Sequence, residues 1–227
     1  MSAADIVRTI ADLIGSIVWP ALVLTVFLVL KDPLKEMIRN IKSLSVSAAG
    51  VEGTVTVKEN VATALTAAVA TKSGADASTA GVIADARTAA GRAVELVRRA
   101  DGSTTRLGLW VDDIPDNNRY ERAALEAMGL RFDLCTSTEE AEQLLVQPDL
   151  YSVIVSDMSR PPDGAAGLTL LDLLRDRQIR TPCIIYARAA TPQQIAETKG
   201  RGGMGQTSDP NELVEMVAAA LSLPAQP

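Results

Sequence analysis

The stretch YSVIVSDMSRPPDG, residues 151–164, places an aspartate, Asp157, between an apolar run and a turn rich in proline and glycine. The apolar run is typical of a buried strand. An aspartate that ends such a strand often bonds the backbone of the following turn, but it can also be a chemically active group. The stretch alone leaves both interpretations of Asp157 open.

From Arg106 onward, apolar runs of this kind alternate with helical patterns. Strands that alternate with helices pack as a parallel sheet with helices on both faces, and the functional crevice then lies outside the carboxyl ends of the strands. Asp112, Asp113 and Asp157 all fall at those ends, so we expect them to converge. The predicted strands are 106–112, 130–136, 150–157, 182–188 and 202–207, and the predicted helices are 117–128, 138–146, 167–177, 192–199 and 210–221.

The segment 105–223 resembles the receiver domain of bacterial response regulators, whose fold is a five-stranded, doubly wound parallel sheet of the flavodoxin-like α/β class. The resemblance rests on the acidic pair that ends LWVDD (109–113), the aspartate that ends VIVSD (153–157), Pro161 four residues after that aspartate, and the glycine that follows, Gly164.

This resemblance implies that Asp157 is the phosphoacceptor, that Asp113, Asp157 and the backbone carbonyl of Ser159 hold Mg2+, and that Asp112 orders the waters of the metal. The chemistry of the residues agrees, because three neighbouring carboxylates repel one another. Either the pKa of one of them rises, or a divalent cation binds and offsets the repulsion. Ligation by oxygen alone suits Mg2+.

Two positions depart from the receiver pattern. Ala187 stands where a Ser or Thr usually grips the phosphoryl group, and Gln206 stands, within one residue, where a Lys is usual. Losing one preorganised donor costs about 3 kcal/mol of transition-state stabilisation. Arg188 or Arg160 could act as a substitute cation, since a guanidinium matches phosphate oxygens; alternatively, each is a solvated surface residue.

Composition excludes several classes of function. The chain contains no histidine, which removes Ser-His-Asp and Cys-His catalysis, histidine metal ligation and an internal phosphohistidine. A net charge of −6 and 3% aromatic residues argue against a nucleic-acid partner. Cys135 and Cys183 lie far apart in apolar runs, which predicts buried, reduced thiols.

The amino-terminal part predicts a membrane anchor. Residues 13–30 are uncharged and long enough to cross a bilayer as a helix, and two aspartates before them argue against the alternative of a cleaved signal peptide. Lys31, Lys35 and Arg39 follow the span, so the positive-inside rule places residues 1–12 outside a bacterial inner membrane and the rest of the chain in the cytoplasm.

Residues 31–58 are predicted to begin with a juxtamembrane helix or, alternatively, a solvated continuation of the membrane helix. A short β-hairpin is predicted to follow over 46–57, because Val51, Val55 and Val57 share one face of a strand pattern. The alanine-rich segment 59–104 predicts two helices with a break at 72–78, or else a loosely ordered linker. Small side chains bury little area, so these helices require self-association, and thus a homo-oligomer, or packing on the domain. Residues 224–227 are a tail.

These features together favour a signalling protein that acts by contact with another protein. If Asp157 is phosphorylated, a histidine kinase in trans is the expected donor of the phosphoryl group. Two alternatives remain: a membrane-tethered nucleotide-binding effector or enzyme, as in a stress or antiphage response, and a phosphate-independent scaffold. The absence of histidine and of a phosphate-binding loop argues against an enzyme.

Overall fold

The computed structural model describes residues 51–73, 80–99 and 106–223. The predicted membrane span 13–30 and the juxtamembrane segment 32–44 lie outside these residues. Among the helices that are described, none has the length and apolar character needed to cross a membrane.

The region from Arg106 onward folds as the sequence predicts, with five parallel strands in the order β2-β1-β3-β4-β5. This is the doubly wound, flavodoxin-like order. The strands are β1 (Arg106–Val111), β2 (Leu130–Cys135), β3 (Val153–Ser156), β4 (Cys183–Tyr186) and β5 (Gly205–Thr207). The helices between and after them are α3 (Arg119–Ala127), α4 (Thr138–Leu144), α5 (Ala166–Asp176), α6 (Pro192–Gly200) and α7 (Pro210–Leu221), with short 3-10 turns at Pro115–Asn118 and Pro148–Leu150.

Two apolar cores sandwich the sheet, because successive side chains of a strand point to opposite faces. Leu109 and Val111 pack with α4 and α5, whereas Trp110 packs on the other face with α3 and α7. Cys135 and Cys183 are free and buried in the first of these cores, and burial raises the pKa of each thiol to about 12. The prediction of buried, reduced thiols is therefore confirmed.

The two helices α1 (Val51–Ser73) and α2 (Ala80–Arg99) belong to the same core as Trp110. α2 packs along α7 through a narrow seam of small residues, and the Arg92 guanidinium lies 2.7 Å from the Glu215 carboxylate. The alanine-rich helices thus pack on the domain, and the loose-linker interpretation of these residues is wrong. The buried residues of the seam are Ala86, Ala89, Ala90, Ala93 and Val94.

The predicted hairpin is also wrong where the structure describes it, because residues 51–57 form the first turns of α1. The alternation of valine with polar residues suggests a strand, but Val57, Val61 and Leu65 recur every four residues and pack on one core. Tertiary packing of this helical stripe outweighs the local preference of Val and Thr for strands. Residues 46–50 lie outside the described ranges.

Two substitutions in α2 test its docking. Ala93→Leu should lower the free energy of unfolding by about 1–3 kcal/mol, because Ala93 is fully buried and its neighbours leave no room for three more carbons. Gly91→Ala, two residues away, should raise it by about 0.5–1 kcal/mol, since a Cβ there meets nothing within 4 Å. Urea unfolding measures both, and an unchanged stability of the Ala93→Leu variant would contradict the docked helix.

Candidate functional site

The pairing of β1 with β3 sets the geometry of the site. The strands are parallel and Val111 lies opposite Ser156, so the residues that follow, Asp112 and Asp157, leave the sheet side by side. The Asp157 amide donates to the Val111 carbonyl at 2.8 Å, which extends the ladder to the edge of the site.

One carboxylate oxygen from each of Asp112, Asp113 and Asp157 lies within 4.8 Å of the other two. The predicted convergence is therefore confirmed. Asp112 is buried, whereas Asp113 and Asp157 are half-buried and open toward solvent. Three carboxylates at these separations repel one another, and a small cation that accepts only oxygen ligands would relieve the repulsion. The donor set thus fits Mg2+, with Asp112, Asp113 and Asp157 as the residues that would hold it.

Three hydrogen bonds hold the Asp112 carboxylate in place. Its Oδ1 accepts from the Ile114 amide at 2.9 Å, and its Oδ2 accepts from Asn118 Nδ2 at 2.6 Å and from Trp110 Nε1 at 3.3 Å. The Pro115–Asn118 turn places Asn118 within reach. A carboxylate fixed in this way is preorganised for a cation, and the indole of Trp110 is coupled directly to it.

Asp157 is both a turn cap and a member of the cluster. Its Oδ1 accepts from the Met158 amide at 2.7 Å. This is the local bond expected of an aspartate that caps the turn after a strand. Burial nevertheless raises the pKa of Asp157, and the charges of Asp112 and Asp113 raise it further, while the Met158 amide and Arg160 oppose the shift. The fold therefore holds the ionised form of Asp157 at a cost.

Arg160 is neither a solvated residue nor a free cation over the pocket. Its guanidinium is buried beneath the end of β3, where Nη1 donates to Ser156 Oγ at 2.7 Å and to the Asp157 carbonyl at 2.6 Å. Nη2 donates to Thr138 Oγ1 and to the Ala166 carbonyl, both at 3.0 Å. Arg160 thus fastens the loop that carries Asp157 to α4 and α5, and the surface interpretation of this residue is wrong.

The loop also approaches α5 closely at Gly167, whose amide donates to the Met158 carbonyl at 2.9 Å. A Cβ at Gly167 would lie 2.9 Å from the carbonyl oxygen of Asp157, closer than a side chain tolerates. Only glycine therefore permits this approach of the helix to the loop.

The remaining predicted residues lie as follows. Ser159 is exposed, two residues beyond Asp157, and Arg188 is exposed beyond β4. Ala187 directly follows β4 and offers no side-chain donor. Gln206 is buried, and both ends of its amide are engaged, since Oε1 accepts from Thr198 Oγ1 at 3.1 Å and Nε2 donates to the Ala189 carbonyl at 2.8 Å. Gln206 thus braces β5 against α6 and the β4–α6 loop.

A second polar cluster, which the sequence analysis missed, lies beside the strand position of Ala187. Glu121 of α3 is 1% exposed and accepts a hydrogen bond from the Tyr186 hydroxyl at 2.8 Å. Lys72, in the last turn of α1, places its Nζ 3.6 Å from Glu121 Oε1 and 3.8 Å from the centroid of the Tyr186 ring. Burial and the Glu121 carboxylate raise the pKa of the Tyr186 hydroxyl, which therefore stays protonated and serves as a donor.

The sequence carries a signal for one member of this cluster. Glu121 precedes Ala124, Leu125 and Met128 at steps of three, four and seven residues, which puts it on the buried face of α3. No local pattern marks Lys72, because its role depends on where α1 docks.

Comparison with known proteins adds a set of similar folds. No family model and no curated protein sequence matches the chain. Among solved structures, a Francisella response regulator receiver domain is 26% identical, covers 51% of this chain and 96% of its own, and has a TM-score of 0.44. A chemotaxis response regulator of Vibrio cholerae is 20% identical, covers 52% of this chain and 99% of its own, and has a TM-score of 0.45. A receiver domain from Leptospira biflexa is 19% identical, covers 53% of this chain and 98% of its own, and has a TM-score of 0.47. At TM-scores below 0.5, these likenesses carry no function over to this chain.

The raised pKa of Asp157 predicts a pH-dependent gain from Asp157→Asn. A carboxyl group whose pKa is raised by folding stabilises the fold below its unfolded pKa, about 3.9, and this contribution is lost as the pH rises through the folded pKa. Without metal, Asp157→Asn should therefore melt at a higher temperature than wild type at pH 7 and should lose this advantage near pH 3.5. Added Mg2+ should stabilise only the wild type.

Thermal unfolding in the presence of a chelator, and then with Mg2+, measures this effect. Asp149→Asn is the matched control, because Asp149 is exposed and precedes β3 whereas Asp157 follows it. An Asp157→Asn variant that is no more stable than wild type at pH 7 would contradict the strained carboxylate.

Arg160 and Arg188 provide a matched pair for a second test. Arg160→Met should lower the free energy of unfolding by about 3 kcal/mol, because it leaves several buried acceptors without a donor. Arg188→Met should change it by no more than about 0.5 kcal/mol, because Arg188 is exposed. Equal losses in urea unfolding would rule out the buried anchoring role of Arg160.

Proposed function

We propose that this chain is a receiver-like signalling protein whose carboxylate cluster binds Mg2+ and whose Asp157 accepts a phosphoryl group. The observation that carries the proposal is the convergence of Asp112, Asp113 and Asp157 within 4.8 Å at the carboxyl edge of a doubly wound parallel sheet. Mg2+ would neutralise the charge that gathers when a phosphate dianion meets three carboxylates.

The reacting group on the protein is the half-buried carboxylate of Asp157. In its ionised form, one oxygen forms a bond to the phosphorus of the donor, and the bond from phosphorus to the leaving group breaks. The leaving group takes the electron pair: it is a carboxylate oxygen when the donor is an acyl phosphate, and an imidazole nitrogen when the donor is a phosphohistidine. Asp112, buried and held by three donors, keeps its position during this exchange, and Arg160 fixes the backbone of the acceptor loop from below.

Two positions lack the groups that usually assist this transfer: Ala187 has no hydroxyl, and Gln206 is uncharged with its amide engaged elsewhere. Removing one preorganised donor slows such a step by about 100-fold. The proposed protein is therefore a slow receiver that holds its state rather than a fast switch.

The setting of the domain is part of the same proposal. Residues 13–30 anchor the chain in a bacterial inner membrane with the domain in the cytoplasm, a histidine kinase in trans supplies the phosphoryl group, and the output is contact with a partner protein or with further copies of this chain. In support, α2 already packs along α7, so the domain and the helices that follow the anchor form one packed core.

The direct test is to incubate the full-length chain in detergent with acetyl phosphate and Mg2+ and to weigh it intact. Wild type and Asp149→Asn should gain one phosphoryl group, and Asp157→Asn or a chelator should abolish the gain. Ala187→Thr should accelerate the reaction at least about tenfold by restoring a donor. If wild type gains no mass while a working receiver domain does, Asp157 is not a phosphoacceptor.

A further inference from the structure

Lys72 approaches the acidic site from outside the five-stranded domain. It lies in the last turn of α1, and its Nζ contacts Glu121 and the face of the Tyr186 ring at 3.6 and 3.8 Å. Tyr186 is the last residue of β4 and directly precedes Ala187, the position at which a phosphoryl-binding hydroxyl is missing. The ammonium group thus contacts the residue that directly precedes the position where a phosphoryl group on Asp157 would need a partner.

The electrostatics of Lys72 connect it with the carboxylate cluster as well. Burial lowers the pKa of the Lys72 ammonium, and the carboxylates of Glu121, Asp157 and Asp112 each oppose that shift. The side chain is 31% exposed, so it is packed without being sealed from the solvent side of the site. Its four-carbon stem is flexible enough to follow a bound anion.

The positions that the sequence suggests for a pocket cation are committed or exposed. Arg160 lies beneath the loop and donates to backbone carbonyls and hydroxyls there, Gln206 is neutral and engaged, and Arg188 is exposed. An acidic pocket that accepts a dianion needs positive charge, and Lys72 is placed to supply it.

We infer that Lys72, carried by α1, is the pocket cation that stabilises a phosphoryl group on Asp157, in place of a lysine at the end of β5. This inference rests on the proposed function. By linkage, a phosphoryl group that attracts Lys72 also strengthens the hold of the domain on α1, so the state of the site reaches the helix that leads toward the amino terminus.

The test compares how the charge of Lys72 affects the binding of a cation, Mg2+, and of an anion, beryllofluoride. A Trp19→Phe background leaves Trp110, whose indole donates to Asp112, as the fluorescent reporter of the site. The full-length chain in detergent is titrated with Mg2+ alone, and then with beryllofluoride, a phosphoryl analogue, at saturating Mg2+. Lys72→Met should bind Mg2+ about two- to fivefold more tightly and beryllofluoride about two- to fivefold more weakly, since one positive charge has been removed.

Three further variants complete the design. Lys72→Arg should bind both probes like wild type, because the charge is kept. Lys58→Met removes the same charge from the same helix about 21 Å away and should change neither affinity. Lys72→Met alone would leave the buried Glu121 carboxylate without its cation. The comparison is therefore repeated in a Glu121→Gln background, with and without Lys72→Met. The Gln carbonyl in this background can still accept the hydrogen bond from Tyr186.

The outcomes are distinct. Opposite changes in the two affinities support the inference. Unchanged beryllofluoride binding, or a parallel loss of both probes in the Glu121→Gln background, overturns it, because a merely structural lysine would not oppose one ion and favour the other. Wild type that binds neither Mg2+ nor beryllofluoride contradicts the proposed function itself.

Discussion

The parallel pairing of β1 with β3 is the constraint on which the site depends. Because Val111 and Ser156 are register partners, the two strands bring Asp112 and Asp157 to the same edge of the sheet, and Asp113 directly follows Asp112. Backbone hydrogen bonds fix this arrangement, so the carboxylates are held together despite their repulsion. Burial raises the pKa of Asp157, and the repulsion by Asp112 and Asp113 raises it further. A divalent cation would offset the repulsion.

Two layers of polar side chains support this strained edge from opposite faces of the sheet. Arg160 lies on the face of α4 and α5 and joins these two helices to the loop that carries Asp157. Trp110 and Asn118 hold Asp112 on the side of α3. The buried guanidinium thus has a structural task, which explains why a residue in a turn rich in proline is hidden from solvent.

The helices before the domain change what the domain can do. Their alanine seam lets α2 approach α7 closely, and the stripe of Val57, Val61 and Leu65 seats α1 on the same core. That docking brings Lys72 to Glu121 and Tyr186 and adds a positive charge where the strand ends provide none. Ala187, which looks like a loss in the sequence, therefore directly follows a tyrosine whose ring contacts a cation from another part of the chain.

The sequence by itself determined the five-stranded fold and the convergence of Asp112, Asp113 and Asp157, because strand periodicity and the rule of parallel crossovers are local or topological signals. The local pattern wrongly predicted a hairpin over residues 51–57 and a solvated side chain for Arg160. It contained no signal for the position of Lys72. Those features are set by long-range packing: a short valine pattern fits strand and helix alike, and an arginine near a turn is buried only if other elements supply its acceptors. Only the tertiary structure decided them, since the energies that choose between the options come from contacts between segments distant in the chain.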